Sequence, residues 1–110
     1  MVNQYGIKLD RNGYAPSLFK NRPGRCLLCE RVDRPLQRHE VFHGPYRQKA
    51  KELGCWVLIC DECHRLAHSD SAIDRNLKKA MQTKLVETYG WTTAQFRAAF
   101  GKNYLLLEEC

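Results

Sequence analysis

Cys60-Asp61-Glu62-Cys63-His64-Arg65-Leu66-Ala67-His68 places two cysteines at knuckle spacing and two histidines four residues apart. A helix beginning near Asp61 puts His64 and His68 on one face, one turn apart. Such a face can hold a metal ion. Cys60 and Cys63 close a tight loop suited to a tetrahedral zinc shared with another cysteine pair. The stretch reads as the anchor of a structural zinc at its start and of a second, working metal along its side.

The partner pair is Cys26-Leu27-Leu28-Cys29, which follows a Pro23-Gly24 turn. A redox C-x-x-C needs a strand before it and a helix after it. Here a Pro-Gly turn precedes the pair and a polar loop at 30–35 follows, so structural zinc is favoured. Thirty residues separate the pairs, longer than a compact zinc ribbon and long enough for a strand and a connector between them. A chain of 110 residues reads as one domain with a modest core, to which a metal staple is well suited. Residues 1–6 lack the apolar region of a signal peptide, and no apolar run is long enough for a membrane helix. The expectation is a cytoplasmic, reducing location, where cysteines serve as ligands rather than disulfides. Of the remaining two, Cys55 and Cys110, one is expected to be a buried strand residue and the other a terminal thiol.

Outward from the knuckles, residues 36–44 read as a strand entering a Gly44-Pro45 turn. Period-two alternation sends Leu36, Arg38, Glu40 and Phe42 one way, and Gln37, His39, Val41 and His43 the other. Residues 46–53 form a basic connector, helix or long loop, with Gly54 as a C-terminal cap. Residues 55–59, β-branched and aromatic, predict a buried strand pairing antiparallel with the first. Asp70 or Ser71 can cap a helix over about 73–89, with Ile73, Leu77, Met81 and Leu85 as its core stripe. Thr92 or Thr93 caps a third helix over 94–100, packing Phe96 and Phe100 inward with Trp91. Residues 104–107 are an apolar extension that covers the core or serves as a dimer contact. Residues 1–15, polar with Gly6 and Gly13, read as an irregular or weakly ordered arm.

The net charge of +6 is concentrated. Residues 20–51 hold nine Lys and Arg against three Asp and Glu, and the rest of the chain balances. A basic segment between two metal-ligand clusters points to a polyanion such as DNA or RNA, with a merely solvated basic face as the alternative.

A strand with His39, a connector, a second strand and a helix bearing His64 and His68 make a ββα arrangement. With Arg38-His39-Glu40-Val41-Phe42 and Leu58 to His68, the sequence resembles the HNH, or ββα-metal, endonucleases that carry two zinc knuckles. It looks like small phage- or prophage-borne members, given Gly44-Pro45-x-Arg47-x-Lys49 and Phe100-Gly101-Lys102-Asn103-Tyr104-Leu105. The resemblance spans roughly residues 25–107. It implies an α+β fold: a ββα-metal core with a two-knuckle zinc site over 25–70, an N-terminal arm over 1–24, and helices over 71–110 packed on the core as one domain. For a phage or prophage protein, the location is the cytoplasm of the bacterial host.

The implied function is metal-dependent DNA cleavage or nicking. Zinc on Cys26, Cys29, Cys60 and Cys63 is structural, and Mg²⁺ or another divalent cation is held by His64, His68 and Glu40. His39 is the general base, and Arg38, Arg47, Lys49, Lys51 and Arg65 contact DNA. Two positions depart from the family pattern. Arg38 stands where an acidic residue or histidine usually precedes the base, and sliding the register by one makes His39 a ligand and Glu40 the base. Cys55 stands where the motif has its orienting Asn; His43 and Asn76 are the candidates to replace it. Two other readings follow: a zinc-stabilised nucleic-acid-binding domain whose catalysis was lost at Cys55, and a protein-interaction domain with His64 and His68 as a second structural site.

Overall fold

The computed structural model describes residues 1–105. Its order is β1 (Leu36–Glu40), a 3₁₀ turn (Gly44–Tyr46), α1 (Arg47–Leu53), β2 (Trp56–Cys60), α2 (Asp61–Ser69), α3 (Ser71–Tyr89) and α4 (Thr93–Phe100). The architecture is mixed: four helices and one two-stranded antiparallel sheet among the described residues. No helix among them is long and apolar enough to cross a membrane.

Each element stops where local chemistry stops it. Gly54 closes α1 in the left-handed region (φ 81°), a conformation that costs a residue with a β-carbon. A β-carbon there would also collide with the Pro16 carbonyl oxygen. Asp70 is the cap of α3, accepting from the Ala72 and Ile73 amides. α4 carries a full capping box between Thr92 and Gln95, which satisfies two otherwise orphaned amides. The knuckle caps its own helix: the Cys60 sulfur accepts from the Cys63 amide at α2's first turn.

β1 and β2 pair in an unbroken register from Leu36 opposite Cys60 to Glu40 opposite Trp56. The ladder ends at Glu40 rather than running on to Phe42. Val41 still donates to the Cys55 carbonyl, but the chain then turns, so Val41 and Phe42 are both buried instead of alternating. Phe42 stacks on Phe100 at 4.2 Å and meets Phe96 edge-on. Leu77, Met81 and Leu85 of the α3 stripe are buried with them, and Ile73 packs at the margin.

The N-terminal segment is irregular, as its composition implies, but it is not loose. Asn3 donates to the Glu52 carbonyl (2.7 Å), and the Trp56 indole donates to the Ala15 carbonyl (2.7 Å). The Ala15 and Leu18 amides donate to the Lys51 and Gly54 carbonyls. Tyr5 stacks on Tyr89 at 4.3 Å and receives the Trp91 indole N–H. These tertiary bonds supply the order that local sequence lacks. At the other end, buried Gln82 bonds Asn103 and the Tyr104 amide, seating the Tyr104 ring near Phe42 and Phe96. Tyr104 thus covers the core; Leu106, Leu107 and Cys110 lie outside the described residues.

Gly54→Ala is expected to cost more than about 1 kcal/mol, because the left-handed conformation and the Pro16 collision both oppose it. A lower urea midpoint with an unchanged slope would show this. An unaltered midpoint would mean that the Pro16–Leu18 strap shifts freely.

Candidate metal centres

The four knuckle cysteines come together: one sulfur each from Cys26, Cys29, Cys60 and Cys63, all within 4.8 Å of one another. The Cys29 and Cys60 sulfurs are 3.8 Å apart. A tetrahedral zinc with Zn–S bonds of about 2.3 Å has S···S edges of about 3.8 Å, so the spacing fits the ion. The backbone is arranged for thiolates. Cys26 accepts from the Cys60 and Cys29 amides at 3.3 and 3.5 Å. Burial opposes ionisation of Cys26, but the amides of Cys29, Cys60 and Leu28 outweigh it and hold its pKa down, to about 6. Cys63 goes the other way, pushed up by burial and by the thiols around it. Arg34 clamps the linker to the head of α2 through two bonds to Asp61, 2.7 and 3.0 Å, which keeps the two knuckles in register. The four cysteines form a site compatible with zinc.

The second cluster lies on the β1 face against α2. Alternation puts Gln37 and His39 on that face, and the helical repeat puts His64 and His68 opposite them. One nitrogen each from His39, His64 and His68 lies within 4.8 Å of the others. His64 Nε2 and His68 Nε2 are 3.2 Å apart. His39 is 1% exposed, and its Nε2 has no hydrogen-bond partner. A buried polar atom left unpaired costs stability, and a cation at the cluster would satisfy it. The three imidazoles therefore fit a metal ion.

Glu40 is the correction to the expected ligand set. Its carboxylate accepts from the Tyr14 hydroxyl (2.6 Å) and from Arg47 Nε (2.7 Å), and it is not part of the histidine cluster. The register through Glu40 has no bulge, so neighbours on the strand must face opposite ways. Burial raises the Glu40 pKa, but Tyr14 and Arg47 prevail and leave it lowered.

The basic residues divide. Arg38 is bonded to Asp10 at 3.0 Å and packs over the Tyr14 and Trp56 rings at 4.2 and 4.9 Å, so it builds the outer face of the hairpin. Lys51 also lies over Tyr14. Arg47 is tied to Glu40 yet remains largely exposed, and Lys49 and Arg65 are exposed. Cys55 is fully buried, and burial raises its pKa; it belongs to the core and orients nothing in the cluster. Of its proposed substitutes, Asn76 lines an apolar groove of about 550 Å³ beside Cys29 and Cys63. His43 lies at the cluster's edge, 5.4 Å from the His68 ring, and bonds Asp74 at 3.3 Å. Asp74 and the roles of Gln37 and Tyr14 were missed by sequence reasoning. Strand parity was the one signal available, and it marked Gln37.

Burial, reinforced by His64, His68 and His43, pushes the His39 pKa down to about 4. In the unfolded chain it is about 6.5. Between these values the unfolded state binds more protons, so stability is fully present above about pH 6.5 and falls as pH drops toward about 4. The slope from one such group is at most about 1.4 kcal/mol per pH unit. Wild type is thus expected to lose more stability between pH 7 and 5 than His39→Gln, measured by urea unfolding with zinc on the cysteines. Equal losses would contradict it.

Comparison with protein-family models, with curated proteins and with solved structures gives no match to this chain.

Proposed function

We propose that the chain is a metal-dependent DNA endonuclease or nickase of the HNH, ββα-metal type. The observation that carries this reading is the convergence of His39 from β1 with His64 and His68 from α2, with the His39 Nε2 buried and unpartnered. In sequence order, β1, β2 and α2 are the two strands and helix of that arrangement, and the cysteine zinc pins the β2–α2 junction.

The geometry favours the register in which His39 is a ligand with His64 and His68. Three imidazoles without a carboxylate suit zinc, cobalt or nickel better than magnesium. When bound, the cation supplies Lewis acidity to a phosphate oxygen and the leaving 3′-oxygen. Strand parity turns Glu40 away from the imidazoles, to Tyr14 and Arg47, so His43, bonded to Asp74 at the cluster's edge, is the proton acceptor for the attacking water. Arg47 is largely exposed and offers its remaining N–H groups to DNA phosphates. Lys49 and Arg65 extend the basic surface, so DNA binding should weaken with salt.

Plasmid nicking tests the reading, with wild type compared to His39→Ala and His64→Ala in Mg²⁺, Mn²⁺, Co²⁺ and Ni²⁺. Wild type should convert supercoiled to open-circular DNA and both variants should not. If all three are inactive while wild type still retains DNA, the protein is the zinc-stabilised binding domain instead. The engagement of Glu40 by Tyr14 and Arg47 is what favours that second reading.

A further inference from the structure

We infer that Gln37 is a positioning residue for the histidine site: it fixes the tautomer and rotation of His64 so that the Nε2 lone pair faces His39 and His68. This rests on the reading of those three histidines as a cation site.

Strand parity puts Gln37 on the same face of β1 as His39, two residues earlier. Its Oε1 lies 2.5 Å from His64 Nδ1. An amide oxygen only accepts, so Nδ1 carries the proton and Nε2 is left with its lone pair. That Nε2 is the atom 3.2 Å from His68 Nε2. The reversed amide would donate to a bare Nδ1, put the proton on Nε2 and aim an N–H at His68, closing the site to a cation. His64 is only half-buried, and its ring neighbours His39 and His68, at 5.2 and 4.8 Å, do not by themselves choose between its two ring nitrogens. The Gln37 contact supplies what packing does not. Gln37 itself is exposed and outside the hydrophobic core, so its bond to the imidazole is separable from folding. Partners of this kind on ligating histidines set the ring's orientation and raise its basicity, and their loss costs about 10–100-fold in metal affinity.

The test is Co²⁺ titration of the full chain already carrying zinc on its four cysteines, with visible absorption separating an all-nitrogen site from cobalt on thiolates. Gln37→Leu should bind Co²⁺ about 10–100-fold more weakly than wild type. Gln37→Glu, which keeps the acceptor, should bind at least as tightly as wild type. Two-bond ¹⁵N–¹H spectra should show His64 as the Nδ1–H tautomer in wild type and a mixture in Gln37→Leu. Equal Co²⁺ affinity in wild type and Gln37→Leu overturns the inference and leaves the cation site standing. A loss of affinity matched by a fall in the unfolding midpoint of the cobalt-free protein assigns Gln37 to the fold and also overturns it. A wild type that takes up no Co²⁺ beyond exchange at the cysteines overturns both this inference and the reading beneath it.

Discussion

Cys26→Ser is expected to lose about one equivalent of zinc and, with it, the cooperative unfolding transition. Zinc binding to structural sites contributes about 10–16 kcal/mol of apparent free energy in small zinc-finger peptides. A domain of ordinary stability has only about 5–15 kcal/mol in total. Losing even part of the first figure therefore consumes most of the second. Cys26 is the residue to change because its sulfur is fully buried and accepts from the Cys29 and Cys60 amides. Serine keeps a donor and acceptor there but forms no thiolate. Its shorter reach leaves the remaining three sulfurs with an incomplete shell. Metal analysis with far-UV circular dichroism through a melt would check this. Unchanged zinc content would contradict the four-cysteine assignment, and lost zinc with an unchanged melt would show that the core folds without its staple.

On the proposed endonuclease reading, the second large effect is on catalysis, and it separates two roles. His64→Ala should abolish nicking by removing a ligand, with Co²⁺ uptake at the histidine site lost in parallel. His43→Gln should lower the nicking rate by about 10²–10⁴-fold, the range for a general base, while Co²⁺ uptake stays near wild type. The separation follows from placement: His39, His64 and His68 form the cluster, whereas His43 lies at its edge against Asp74. Glutamine can still donate to Asp74, which limits the damage to the fold. Should His43→Gln nick at the wild-type rate, the proton acceptor lies elsewhere, and Glu40, on the opposite strand face, is the next residue to change. Loss of Co²⁺ uptake in His43→Gln would add His43 to the ligand set.

The cysteine spacing, the i, i+4 histidines, the α3 stripe and the cap sites at 70–71 and 92–93 were legible because each is a property of neighbouring residues; the fold chose Asp70 and Thr92. The pairing of the two strands was legible as well, since the first carried a period-two pattern after Pro35 and the second was a β-branched and aromatic run after Gly54. The end of β1 was not. Its alternation continues on paper to Phe42, and only the burial of both Val41 and Phe42 in the folded core interrupts it. The order of residues 1–18 was hidden for a related reason. Their partners at Lys51, Glu52, Gly54, Trp56, Tyr89 and Trp91 are far along the chain and leave no local periodicity.

Legible along the chain are the pair of knuckles, the helix that the second knuckle opens, and the histidine face of that helix. Those features depend on backbone geometry over a few residues, which composition and spacing specify. The direction in which the first strand delivers its groups is set by packing instead. The sequence left two registers open for His39 and Glu40; the unbroken pairing of β1 with β2 sends His39 to the imidazoles and Glu40 to Arg47. Gln37 on His64 and Asp74 on His43 likewise depend on how a strand, its outgoing turn and two helices close on one another. Such contacts join residues about thirty positions apart. Their geometry is set by the packing of whole elements, which no local pattern encodes.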